Sequence, residues 1–208
     1  MFSSRIWAAI GLAAAMLTLV VIAAMPQAKA DSWTGCGGGA AGSYNAGVVA
    51  DTWGAEGPGL HLMALCDVQR GKIVIGARGE WGWRRFEWSG VDVDLDGWTA
   101  LGRVGYLVTP GAMPYVLAGW TDLEASTPFG TVDADGAVVG AGAEFALGQG
   151  FFLQTEWQYA MLDPDVGFDI DANVHSGRAG LVYKWGWNPV DAPPFKDYVA
   201  PSSNRPLK

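Results

Sequence analysis

In FFLQTEWQYAML, Phe151 to Leu162, the odd positions carry Phe151, Leu153, Thr155, Trp157, Tyr159 and Met161, while the even ones collect Gln154, Glu156 and Gln158. A period of two describes a β-strand. HSGRAGLVYKWGW repeats the design, with Ala179, Leu181, Tyr183, Trp185 and Trp187 opposite Ser176, Arg178 and Lys184. In KIVIGARGEWGW, Ile73, Ile75, Ala77, Trp81 and Trp83 oppose Arg78, Glu80 and Arg84. In VVGAGAEFAL, Val139, Ala141, Ala143, Phe145 and Leu147 oppose Glu144. Each strand is apolar on one side and carries sparse charges among glycines on the other.

The same criterion predicts eight strands, at approximately 33–44, 60–67, 72–87, 98–109, 114–123, 138–147, 151–162 and 175–187. Tight connections at Asp67 to Gly71, Pro110 to Met113 and Gly148 to Gly150 alternate with longer ones at Asn45 to Gly59, Trp88 to Gly97, Glu124 to Ala137 and Asp163 to Val174. A water-soluble sandwich would turn the charged faces outward, whereas a membrane barrel turns them inward. Charge alone does not separate the two, but Trp and Tyr near strand ends match the aromatic girdles of a barrel. Most strands reach the length of about ten residues that a tilted transmembrane strand needs. The predicted fold is therefore all-β, an eight-stranded antiparallel up-and-down transmembrane β-barrel over residues 31–187. Glycines facing the charges suit a narrow lumen filled by side chains.

The first thirty residues change the picture of where the barrel works. Arg5 precedes an apolar run from Ile6 to Met25, Pro26 interrupts it, and Ala28-Lys29-Ala30 fits a cleavage site. This reads as a cleaved signal peptide over 1–30, with an uncleaved anchor as the alternative because the run is long. Without Arg5 and Lys29 the chain keeps 11 of its 13 basic residues and all 21 acidic ones, a net charge of −10. That balance argues against a nucleic-acid partner. At the other end, residues 188–208 are rich in proline and are expected to form a periplasmic tail, a disordered appendage or a reach toward peptidoglycan or an envelope partner.

Cys36 and Cys66 are an even pair in an exported chain, which favours a disulfide. Their midpoint, residue 51, falls inside the first long connection, so they can face each other across the first hairpin.

Four blocks, in order, resemble a family of small porin-like outer-membrane β-barrel surface proteins common in α-proteobacteria. WTGCGGGAAGSY resembles its opening strand and GRVGYLVTPGAMPYVLAGW its central hairpin. VGAGAEFALGQGFFLQTEWQYAMLD resembles a later hairpin and HSGRAGLVYKW the closing strand. The resemblance implies an eight-stranded barrel in the outer membrane and says little about activity. Cys36 stands where the family has an aromatic, and about twenty residues follow the closing strand, where the family ends on one.

Candidate chemistry is sparse. VDVDLDGWT places Asp92, Asp94 and Asp96 before Gly97 in the manner of a calcium loop, but the Glu required at its twelfth position is Arg103. The alternating Val91, Val93 and Leu95 instead continue a strand, so the three aspartates are only weak metal candidates. With Asp133, Asp135, Asp163, Asp165, Asp169 and Asp171 they predict acidic extracellular loops able to meet the divalent cations that bridge lipopolysaccharide. Arg78, Glu80, Arg103, Glu144, Glu156 and Arg178 all fall on predicted lumen faces, which suggests a salt-bridge network that fills the barrel or gates a narrow pore. His61 and His175 sit near predicted outer strand ends, and His175 and Ser176 point to opposite faces, so no catalytic constellation converges. No cofactor and no zinc spacing are expected. The expected protein is a non-enzymatic outer-membrane barrel that supports the envelope, in contact with membrane lipid and lipopolysaccharide. The alternatives are a narrow ion or solute channel and a lipid A-modifying enzyme.

Overall fold

The structure is a computed structural model that describes residues 33–49, 53–88, 91–128, 130–165 and 172–185. The expected signal peptide 1–30, the expected tail 188–208, Trp187, Asp169 and Asp171 lie outside the described residues. Eight strands follow in order: β1 Gly35–Val49, β2 Trp53–Arg70, β3 Ile73–Trp88, β4 Val91–Tyr106, β5 Ala112–Thr127, β6 Gly130–Gly148, β7 Phe151–Pro164 and β8 Ala172–Trp185. Each pairs antiparallel with the next, and β1 pairs with β8 to close the barrel. Closure leaves no open sheet edge, the condition for strands to cross hydrocarbon.

Most strands are longer than expected, and the long connections are mostly strand. Val91 to Gly97 pairs with β3 as the lower-numbered part of β4, and Glu124 to Ala137 is divided between β5 and β6. The apolar–acidic alternation simply continues there, and the ladder hydrogen bonds with it. Asp67 also belongs to a strand, and the turn after it tightens to Gly71-Lys72, where Gly71 has φ 61°. The β6–β7 turn needs three left-handed residues in a row: Gly148 at 94°, Gln149 at 53° and Gly150 at 84°.

The outward face is apolar along a belt that includes Leu62, Ile75, Val104, Val116, Val139 and Leu181, all exposed in the isolated chain. Such a surface is stable only against lipid. Tyr106, Phe151, Tyr183 and Trp185 edge the belt beside the short turns, and Trp81, Trp83, Trp98, Trp120 and Trp157 edge it on the far side. Ten residues separate Ile73 from Trp83, roughly 33 Å along a strand and roughly 25 Å of height once tilted by about 40°. That matches the apolar band of an outer-membrane barrel.

Above the far girdle the outward positions turn acidic at once. Asp122, Asp135 and Asp163 stand directly opposite one another across β5, β6 and β7. Asp96, Glu124 and Asp133 make the next row across β4, β5 and β6. Asp94, Asp96, Asp133, Asp135 and Asp163 of the expected acidic loops thus stand on strand extensions as an acidic rim, while Asp165 follows the end of β7.

Candidate functional site

Inward positions build the interior in layers. Nearest the short turns lies an apolar plug that includes Trp33, Val74, Leu107, Met113, Phe152 and Val182. At the opposite end Phe86, Leu95, Leu123, Ala134, Leu162 and Ala172 form a second apolar cluster inside the extended hairpins. Ionic side chains fill the space between.

The first ionic layer is a ring drawn from alternate strands. Asp67 on β2, Arg103 on β4, Glu144 on β6 and Lys184 on β8 meet across the lumen, all buried. Arg103 donates Nε to Asp67 Oδ1 at 2.8 Å and Nη1 to Glu144 Oε2 at 2.7 Å, and its Nη2 pairs with Asp67 Oδ2. Lys184 Nζ reaches Glu144 Oε1 at 2.6 Å and Asp67 Oδ2 at 2.8 Å, and it lies 4.4 Å from the centre of the Phe152 ring in the plug below. Arg103 reaches Asp67 across the β3 position held by Gly76, where a Cβ would collide with the Asp67 carboxylate.

The second layer joins Arg78 and Glu80 of β3 to Glu156 of β7 and Arg178 of β8. Arg78 Nη2 donates to Glu156 Oε1 at 2.7 Å and Arg178 Nη1 to Glu80 Oε2 at 2.6 Å. Arg78 Nε approaches Glu80 Oε1 at 2.7 Å as an ion pair without the alignment of a hydrogen bond. Tyr115 donates to Glu156 Oε2 at 2.7 Å, in a space that only a glycine at 142 leaves open, since a Cβ there would stand 2.7 Å from the Tyr115 hydroxyl. Gln154 ties the layers together, accepting from Arg78 Nη1 and donating to Glu144 Oε2.

All six charged residues singled out in the sequence therefore stand in the lumen and touch one another in two groups: Arg103 with Glu144, and Arg78, Glu80, Glu156 and Arg178. Asp67 was hidden because its neighbourhood reads as a turn, although its spacing from His61, Met63 and Leu65 is even. Tyr115 was hidden because a tyrosine after a turn reads as a girdle residue.

The histidines separate. His61 lies in mid-strand on β2, fully buried, and not near an outer end, because β2 begins seven residues earlier than expected at Trp53. Its Nε2 shares a 2.9 Å hydrogen bond with Ser43 Oγ, while Nδ1 has no partner. Among the described residues no third group reaches Nδ1 to orient the ring as it would be in a nucleophilic triad. His175 is half-buried on the outer face against Trp157 and Tyr159, and Ser176 is buried inside. Among the described residues no group of three or more acidic, His or Cys side chains is arranged to hold a metal. Asp94 pairs outside the barrel with Arg85 at 2.9 Å, Asp96 also faces outward, and the Asp92 side chain lies outside the described residues.

Cys36 and Cys66 form a disulfide, directly opposed in the β1–β2 ladder and facing outward near the short-turn end.

A family model described as "Outer membrane protein beta-barrel domain" matches residues 14–184. The chain belongs to this family. An outer-membrane β-barrel of this family resides in the outer membrane, and the short turns and both chain ends of the barrel then face the periplasm. Neisserial surface protein A is similar in structure at a TM-score of 0.59 and 15% identity, over 73% of this chain and 98% of that one. At that identity the likeness is one of fold. Ail, the attachment invasion locus protein of Yersinia pestis, gives a TM-score of 0.49 at 16% identity over 72% of this chain and 99% of that one. The outer membrane enzyme PagL gives 0.41 at 14% identity, over 66% and 97%. No curated protein matches the sequence.

Proposed function

We propose that this outer-membrane barrel is a non-enzymatic, non-conducting structural element that supports the envelope and presents its acidic rim to lipopolysaccharide and the divalent cations around it. The observation that carries this reading is the filled interior. Two ionic layers span the lumen between apolar clusters at both ends, and a hydrated ion crossing there would have to break buried ion pairs. The rim supports the second half: like charges stacked above the girdle destabilise one another unless cations lie between them, and the headgroup region supplies both cations and phosphates. The resemblance to porin-like surface proteins of α-proteobacteria suggests the same surface placement.

The test is a strain lacking the chain, assayed for detergent sensitivity and vesicle release, beside the purified protein in planar bilayers. Sensitisation without discrete conductance steps supports the proposal. Steps that change on Arg103→Met or Glu144→Gln would identify a channel instead. An altered lipid A mass spectrum in the deletion strain, reproduced by His175→Ala, would identify an enzyme.

A further inference from the structure

The two ionic layers are each neutral, and one buried cation belongs to neither. Among the described residues five basic side chains are buried in the lumen, Arg78, Arg84, Arg103, Arg178 and Lys184, against four acidic ones, Asp67, Glu80, Glu144 and Glu156. Arg103 and Lys184 balance Asp67 and Glu144, and Arg78 and Arg178 balance Glu80 and Glu156. Arg84 remains, only 7% exposed, with no ion pair among the described residues and with Nε and Nη1 lacking any hydrogen-bond partner. A guanidinium keeps its charge in a protein, and an uncompensated buried charge is strongly unfavourable.

Arg84 lines a cavity of about 10 Å³ between the second ionic layer and the outer apolar cluster, the scale of a single bound water, which a halide fills only if the long Arg84 and Arg178 side chains give way slightly. Arg178, Thr99, Thr121, Gln158 and Ser176 line it as well, with Leu95 and Leu123 on the side of the outer cluster. The hydroxyls and the amide are already engaged: Thr99 with Thr121, Gln158 with Glu156 and Ser176 with Asn45. The buried donors left over on the residues that line this cavity are guanidinium N–H groups, Arg84 Nε and Nη1 and Arg178 Nε, and no carboxylate among the described residues lines it.

We infer that this cavity is a binding site for one small monovalent anion of the halide class, held by Arg84 and Arg178. A water molecule would satisfy N–H geometry but leave the lumen one positive charge in excess. A phosphate or carboxylate-bearing solute exceeds the space. The anion completes a neutral interior.

The test refolds the full chain into detergent in chloride, in bromide and in gluconate at one ionic strength. Crystals grown from the bromide preparation are expected to show an anomalous peak in the lumen within hydrogen-bond reach of Arg84. The melting temperature is expected to be higher in either halide than in gluconate, and that difference is expected to vanish in Arg84→Met. Equal melting in all three salts, a halide effect that persists in Arg84→Met, or bromide confined to the outer surface would each overturn the inference. Should Arg84→Met fail to refold, the bromide map of the unaltered chain decides alone. Conductance through the barrel would sink the structural role proposed above but would leave this site standing.

Discussion

Arg103→Met is the substitution with the most to say about the interior. It removes three donor contacts, leaves Asp67 Oδ1 without a partner, and leaves Asp67 and Glu144 sharing the single cation of Lys184. Breaking a buried pair from one side costs about 3–5 kcal/mol, because a desolvated charge is stranded. The remaining charge gives the double variant its value. Arg103→Met with Glu144→Gln leaves Asp67 and Lys184 as a neutral pair, so part of the loss should return, by about 1–3 kcal/mol relative to additivity. The assay is reversible urea unfolding in lipid vesicles, followed by tryptophan fluorescence. With a slope of about 2 kcal/mol/M, the single variant should lower the midpoint by roughly 2 M and the double variant by less than the two singles together predict. A single-variant cost under about 1 kcal/mol, or strict additivity, would refute the ring as a coupled unit.

Other outcomes follow from neighbouring features. Gly142→Ala should cost about 1–3 kcal/mol by overpacking against Tyr115, and Tyr115→Phe in the same background should recover part of that loss in the same unfolding assay. Cys36→Ser should abolish the mobility difference between reduced and oxidised protein on a denaturing gel, and lower stability by roughly 3–4 kcal/mol through loop-closure entropy. Asp135→Asn, in the middle of the row with Asp122 and Asp163, should raise the melting temperature when divalent cations are chelated. That gain should shrink when magnesium is restored; a gain independent of magnesium would show that cations do not reside between the carboxylates.

The lipid belt and the lumen charges were legible because both are written in the same two-residue alternation. On β7 and β8 every charged side chain and glutamine over the membrane falls on the even positions and the aromatic residues of the far girdle on the odd ones, so faces could be assigned even though Phe152, Leu162 and Val182 put apolar side chains on the lumen parity as well. Strand length was harder. Past the tryptophans the outward positions no longer need to be apolar, and Asp133 and Asp135 look like loop composition although their backbones continue the ladder, whereas beside Asp94 and Asp96 the alternation of Val91, Val93 and Leu95 did show the strand continuing. Asp67 was lost for a related reason, a polar residue a few positions from a turn. The isolation of Arg84 was not legible at all. Its face was clear from Trp81 and Trp83, but whether a carboxylate from another strand reaches it depends on the relative heights of strands far apart in sequence, which alternation does not encode.

Seven of the eight strand pairings join neighbours in sequence and the eighth joins β1 to β8. The order of assembly therefore has a single long-distance event, and it recruits the strand that the disulfide already holds. With Cys36 bonded to Cys66, β1 cannot slide along β2, and a slide of one residue would turn every lumen side chain toward lipid. The free edge of β1, with Cys36 opposite Trp185 at its foot, is then offered to the last strand in one alignment only, so the covalent bond acts as a template for the seam although it crosses a different pair of strands.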